Sequence, residues 1–321
     1  EISQWGQVFL YLCILGPSVF MISLGSNLVF SDAGPRKLAK RGCTTLVAFL
    51  LLNITRDALP DIAIALAGHA DAFDVLGYDM LASDILGFAG FTFLFFAIIK
   101  YFQISPLATL LISLCMLTVN DLIPQLHLSS QFVSATLGNF FYADDYSCFP
   151  LLSWMIFPAI GYALGSAFRV IPVKDLFWKH VIAVCAIVLV AISVNMRKYG
   201  LNPLLIAASP VNDYITDFAN VVLDAAIAWI WYGIFHFVYK RIRSARIKHI
   251  ILCVSQAIML FYMAQWILVG WIRSALVMLD LEGTNVLTTG TFITLIVVVT
   301  AAALPIGLFA QKQLVSRVSK S

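Results

Sequence analysis

The chain has 321 residues, of which 61% are hydrophobic and only 12% charged. Its mean hydropathy is +0.93, and a soluble domain would carry about twice that charge fraction. This excludes a soluble globular enzyme. The net charge of +3 is segregated along the chain and gives no case for nucleic-acid binding.

A membrane-spanning helix needs about 20 apolar residues. The sequence predicts an all-α, polytopic transmembrane helix bundle in one integral membrane domain, 1–321. Nine spans are expected, over 7–30, 40–58, 81–99, 105–123, 149–168, 178–196, 216–239, 249–272 and 287–310. The turn after the first span is basic, with Arg36, Lys37, Lys40 and Arg41. The second span ends on Asn53, Arg56 and Asp57, and an acidic stretch, 57–80, follows it. The apolar half of that stretch, 62–67, reads as a short interfacial helix.

Asp84 opens the third span, and Asn120 and Asp121 close the fourth. The connection 124–148 is polar and aromatic, with His127, Tyr142, Asp144 and Asp145. In the fifth span, Gly161 and Gly165 form a GxxxG pattern, which lets helices approach closely. The seventh span carries Asp224 and an aromatic set that includes Trp229, Trp231, Tyr232 and Phe235.

Connections alternate in sign. One set holds the basic turn at 36–41, then Lys100, then Arg169, Lys174 and Lys179. It continues with Lys240, Arg241, Arg243, Arg246 and Lys248, and ends with Lys312, Arg317 and Lys320. These are 16 of the 20 Lys and Arg residues. Basic residues are retained in the cytoplasm on insertion, so this set faces inside and Ser321 is cytoplasmic. Nine spans then put Glu1 outside, and a tenth span is expected upstream of it. A bacterial plasma membrane is the expected location.

The six cysteines are far apart, without CxxC or Cys/His spacing, and read as apolar packing residues. No metal site is expected. Of the histidines, His69 and His127 face outside; His180, His236 and His249 lie toward the inner face and read as interface or core residues.

An ionisable residue at membrane depth usually faces the protein interior and has a partner. Arg56, Asp57, Asp84, Asp121 and Asp224 all lie toward the outer side. One reading makes them the lining of an outward-open polar cavity that carries the chemistry. The other makes them structural ion pairs at helix ends.

Three stretches resemble a known family. Residues 16–26, GPSVFMISLGS, followed by Lys40, Arg41 and Gly42, are similar to an early helix of integral membrane acyltransferases. FPLLSW at 149–154 with GYALG at 161–165, and SQAIMLFYMAQW at 255–266, are similar to two later helices. The family is the one that includes heparan-alpha-glucosaminide N-acetyltransferase and its bacterial relatives. The resemblance implies transfer of an acyl group, acetyl above all, from cytoplasmic acyl-CoA to an extracytoplasmic carbohydrate or lipid-linked acceptor. It implies that Arg36, Lys37, Lys40 and Arg41 meet the CoA phosphates, although topology alone also accounts for them. The family's Asp–x–x–Arg–Gly motif and its acyl-transfer histidine would lie upstream of Glu1, so no histidine present here is the expected base. Ser83 and Asp84 stand where relatives often carry a further histidine.

Two other classes stay open: a transporter or flippase that uses buried acids, and a non-catalytic membrane subunit. The expected partners are the bilayer and a small-molecule or glycan acceptor, with a homo-oligomer or membrane complex left open.

Overall fold

The computed structural model describes residues 4–123, 130–141, 148–198, 218–279 and 289–318. No strand occurs among them. Among the described residues, five helices are long and apolar enough to cross a membrane: Leu151–Val170, Lys174–Asn195, Asn220–Arg241, Ala245–Met278 and Thr294–Gln313. Three shorter apolar segments, Leu15–Phe30, Ile85–Tyr101 and Pro106–Asn120, accompany them. The expected count of nine therefore stands at five full-length helices among the described residues. The third and fourth expected spans form helices of only 17 residues each. The second expected span lies on the helix Pro35–Asn53, whose first two turns carry four cations, and on the π-helical turn Ile54–Ala58 that follows it.

Packing groups the chain into two compact units, described separately. Unit 1 comprises Glu1–Val47 and Ala82–Arg241. Its helices are α1 (Gln4–Phe30), most of α2 (Pro35–Asn53), α5 (Ile85–Tyr101) and α6 (Pro106–Leu122). The short α7 (Gln131–Gly138) and α8 (Leu151–Trp154) follow, then α9 (Ile156–Val170), α10 (Lys174–Lys198) and α11 (Phe218–Arg241). Unit 2 comprises Ala48–Leu81 and Ile242–Ser321. It contains the π-helical turn, α3 (Leu59–Leu66), a 3-10 segment (Ala70–Val75), α4 (Leu76–Asp79), α12 (Ala245–Met278) and α13 (Thr289–Val318). The expected interfacial helix at 62–67 is the second half of α3.

Helix starts follow local chemistry. Ser105 accepts from Ala108 N at 3.2 Å and precedes Pro106, whose missing N–H costs nothing at a first helical position. Asp84 accepts from Leu86 N at 2.8 Å and starts α5. The carboxyl end of α1 is capped from elsewhere in unit 1. Lys100 Nζ donates to Leu28 O, Ser31 O and Ala33 O at 2.9, 3.3 and 3.2 Å, and Arg169 reaches Val29 O at 3.1 Å. A cation at a helix C-terminus satisfies orphan carbonyls and opposes the dipole. Two basic residues from other helices thus also hold the bundle.

The core of unit 1 is built on the pairing of α1 with α9. A Cβ on Gly25 would stand 1.9 Å from Pro158 O, and one on Gly161 would stand 2.0 Å from Ile22 O. Only hydrogen fits at either place, so the GxxxG pattern does what its spacing predicts. Ser26 Oγ donates to Gly161 O at 2.9 Å across the same seam. Met21, Ile22, Phe88, Phe96, Phe157 and Met155 are fully buried around it. In unit 2, α12 packs along α13 and against the π-helical turn and α3. At 34 residues, α12 is about 50 Å long and outruns a hydrocarbon core of about 30 Å.

Candidate functional site

The five residues expected to line one outer cavity fall into different settings. In unit 1, Asp224 on α11 accepts from Ser18 Oγ at 2.7 Å, and Ser18 is fully buried on α1. Asp84 is buried too, with its Oδ1 on the first turn of its own helix. Its neighbour Ser83 accepts from Phe149 N at 3.0 Å. Asp121 lies in α6, but its side chain is outside the described residues; Asn120 beside it is buried. Arg56 and Asp57 belong to unit 2.

A second polar contact crosses α1 and α11. Tyr232 donates to Val19 O at 2.7 Å and is bonded to Ser23 Oγ. Ser18, Val19 and Ser23 all belong to the stretch 16–26, and Asp224 and Tyr232 lie eight residues apart, two turns on one face of α11. An apolar cavity of about 310 Å³ opens beside them, walled by α6, α9, α10 and α11 through Leu114, Ile160, Cys185, Val222 and Trp229.

The expected donor residues are exposed on the first two turns of α2, and no ion pair engages Arg36, Lys37, Lys40 or Arg41 among the described residues. Cations at a helix N-terminus oppose the dipole, so local helix stability does not explain them. The backbone N–H groups there add to their attraction for an anion. Elsewhere on unit 1, His236 Nε2 lies 3.0 Å from Asp175 Oδ1, and Lys240 bonds the same carboxylate. The aromatic side chains of Phe168 and Trp178 flank the imidazole. His236, expected as a plain core or interface residue, is an oriented imidazole.

The densest polar site is in unit 2. The π-helical turn carries Arg56 and Asp57, joined by a 2.6 Å Nε–Oδ2 bond with side chains only 12% and 19% exposed. Arg56 also donates to Asn53 Oδ1 at 3.2 Å, and its guanidinium stands 5.5 Å from the Trp266 ring. A π-helical turn shifts carbonyls out of the ordinary ladder. Helix α12 meets them: Trp271 Nε1 donates to Thr55 O at 3.1 Å, and Ser274 Oγ donates to Pro60 O at 3.4 Å. Gly270 makes this approach possible, since a Cβ there would be 2.0 Å from Arg56 O.

One helical turn beyond Asp57, Asp61 is buried at 8% exposure. Its carboxyl acts on that of Asp79, at the end of α4, through hydrogen bonding and charge. Burial first, then that bond and the nearby charges of Asp61 and Asp57, push the Asp79 carboxyl from its ordinary 3.8 up to about 8, against the pull of Arg273. Asp79 Oδ2 is buried with no hydrogen-bond partner among the described residues.

The sequence reading named Arg56 and Asp57 and passed over Asp61 and Asp79. The spacing of Asp57 and Asp61, four apart and so on one helix face, was the available signal. Nothing in the sequence brings Asp79 to them. Among the described residues, no group of three or more His, Cys, Asp or Glu is placed to hold a metal ion, and no disulfide forms. His127 and the acids at 144–145 lie outside the described residues. No protein-family model matches this chain, and neither a curated protein nor a solved structure is significantly similar to it.

Proposed function

We propose that the chain is a membrane acyltransferase. It takes an acyl group, acetyl by its resemblance, from cytoplasmic acyl-CoA and delivers it to an extracytoplasmic carbohydrate or lipid-linked acceptor. The observation that carries the reading is the meeting of two stretches of the resemblance. Residues 16–26 and 149–165 lie on helices packed backbone to backbone at Gly25 and Gly161. The half-buried carboxylate of Asp224 is bonded to Ser18 within the first of them.

In this reading, Arg36, Lys37, Lys40 and Arg41 receive the CoA phosphates as exposed point charges at a helix N-terminus. Asp224 keeps the Ser18 hydroxyl polarised within the bundle, where an acceptor hydroxyl or an acyl carbonyl would be handled away from water. The proposed topology keeps nine spans, with Ser321 in the cytoplasm of a bacterial cell.

The test is turnover of labelled acetyl-CoA by the purified full-length protein in proteoliposomes, with a mixture of sugar and lipid-linked acceptors. Asp224→Asn should lower turnover about 100-fold, the loss expected for a group that handles a proton in the reaction. Replacing the four basic residues with Gln should weaken CoA binding in a salt-sensitive way. Wild-type turnover in a correctly inserted Asp224→Asn variant removes Asp224 from the chemistry, and absence of any transfer by the wild type removes the reading. A transporter is the second reading, favoured by one observation: the carboxyl pair of Asp61 and Asp79, a form of side chain suited to carrying a proton.

A further inference from the structure

Helices α6, α9, α10 and α11 of unit 1 leave between them an apolar cavity of about 310 Å³. The sequence makes this space with small residues. Ala225 and Ala226 on α11 and Cys185 on α10 are buried in its wall, where larger side chains would fill it to the density of an ordinary interior. The rest of the wall is aliphatic apart from Trp229. Among the described residues no charged side chain lines the cavity, and Asp224 on the same helix is bonded instead to Ser18 on α1.

What fills such a space follows from its walls and its setting. A buried water needs about three polar partners, which walls of this kind do not supply. Left empty, the cavity would forfeit dispersion contacts along its whole lining. Helices α9, α10 and α11 are of spanning length and α6 is a shorter apolar helix, so hydrocarbon is the medium around them. Val184 lines the cavity and is also 59% exposed, and Ile187, one turn on, is exposed as well. The cavity thus reaches the lipid-facing surface of α10. Along α11 it runs from Val221 to Trp229, about 12 Å of helix. At about 30 Å³ for each methylene, close to a water's share of liquid volume, it holds about ten of them. An elongated apolar space of this size matches much of one lipid tail, not a compact polar ligand.

We propose that this cavity is a lipid-binding site that takes one acyl chain of a bilayer phospholipid through the opening beside Val184. The tail supplies the bulk that Ala225, Ala226 and Cys185 lack. Helix α10 packs along α11, and α6 along α9; a tail in the cavity touches all four and ties the two pairs together. The headgroup stays at the membrane surface, because the cavity offers it no partner. This inference does not rest on acyl transfer, and its experiment reads no turnover.

The experiment is photo-cross-linking of the full-length protein in phosphatidylcholine nanodiscs. A fraction of the lipid carries a diazirine midway along one acyl chain, and the labelled residues are read by mass spectrometry. The expected result is label on Cys185, Val222 and Ala226 within the cavity as well as on the exposed Ile187. Ala226→Phe fills the space and should remove the label from Cys185 and Val222, with Ile187 labelled as before. If that variant fails to insert, Cys185→Met fills the cavity from α10 and must lower the label on Val222 and Ala226. The proposal is overturned by label confined to exposed positions such as Ile187, or by cavity label that the filling substitutions leave in place. It is equally overturned, in favour of a donor chain, if palmitoyl-CoA removes the cavity label and unlabelled phosphatidylcholine does not.

Discussion

The two units hold their buried polar groups by different means. In unit 1 the contacts are single hydrogen bonds: a serine on a carboxylate, a tyrosine on a backbone carbonyl, a carboxylate on its own helix start. They cross or flank helices already in backbone contact at Gly25 and Gly161. In unit 2 full charges are set together on an irregular helix, and α12 satisfies carbonyls that the π-helical turn displaces. Packing therefore carries unit 1, with its polar bonds serving to fix register. Charge balance carries the polar part of unit 2, so that part should answer to single charge changes and to pH.

The comparison breaks most visibly at Arg56. Arg56→Ala leaves Asp57 without its closest partner and removes the contact with Trp266. A loss of about 3 kcal/mol is expected, as for a largely buried pair stripped of one member. Thermal unfolding in detergent measures it; a loss below one third of that would place the pair among solvated surface bridges.

The matching change in unit 1 is steric. Gly161→Ala puts a methyl into Ile22 O, and the expected cost is about 2 kcal/mol, the range for overpacking a tight contact. An unchanged unfolding temperature would show that α1 and α9 can separate freely. Smaller still is Ser18→Ala, which takes a hydroxyl from Asp224. Hydrogen bonds between membrane helices average about 0.6 kcal/mol, so a loss of about 1 kcal/mol or less is expected, well under that of Gly161→Ala. Lys240→Gln is expected to leave stability unchanged within error, because its partner Asp175 is half-exposed and keeps His236. A clear destabilisation there would show that the ion pair fastens α10 to α11.

Much of the architecture was legible from hydropathy and charge. The long apolar runs at 149–168, 178–196, 216–239, 249–272 and 287–310 became the five helices of full spanning length. The GxxxG spacing became the α1–α9 seam. The second expected span, 40–58, falls on a helix that ends at Asn53 and on the π-helical turn after it, so it is not among those five. The polar site was half legible. A charged residue at depth announces itself, as Asp224 and Arg56 did. The partner of Asp224 does not, because Ser18 stands 206 positions away in the chain until the fold brings the two together.

The pH dependence of stability tests the contrast between the units most directly. The Asp79 carboxyl titrates higher in the folded chain than its ordinary 3.8, at about 8, so the folded chain holds the extra proton between those values. Stability contributed by this group is fully present below the lower value and is lost as pH rises through the upper one. The wild type should unfold at progressively lower temperature as pH is raised from mild acid to mild alkali, and Asp79→Asn should lose that slope. A slope retained in Asp79→Asn, or a wild type whose stability rises over the same interval, would contradict the account.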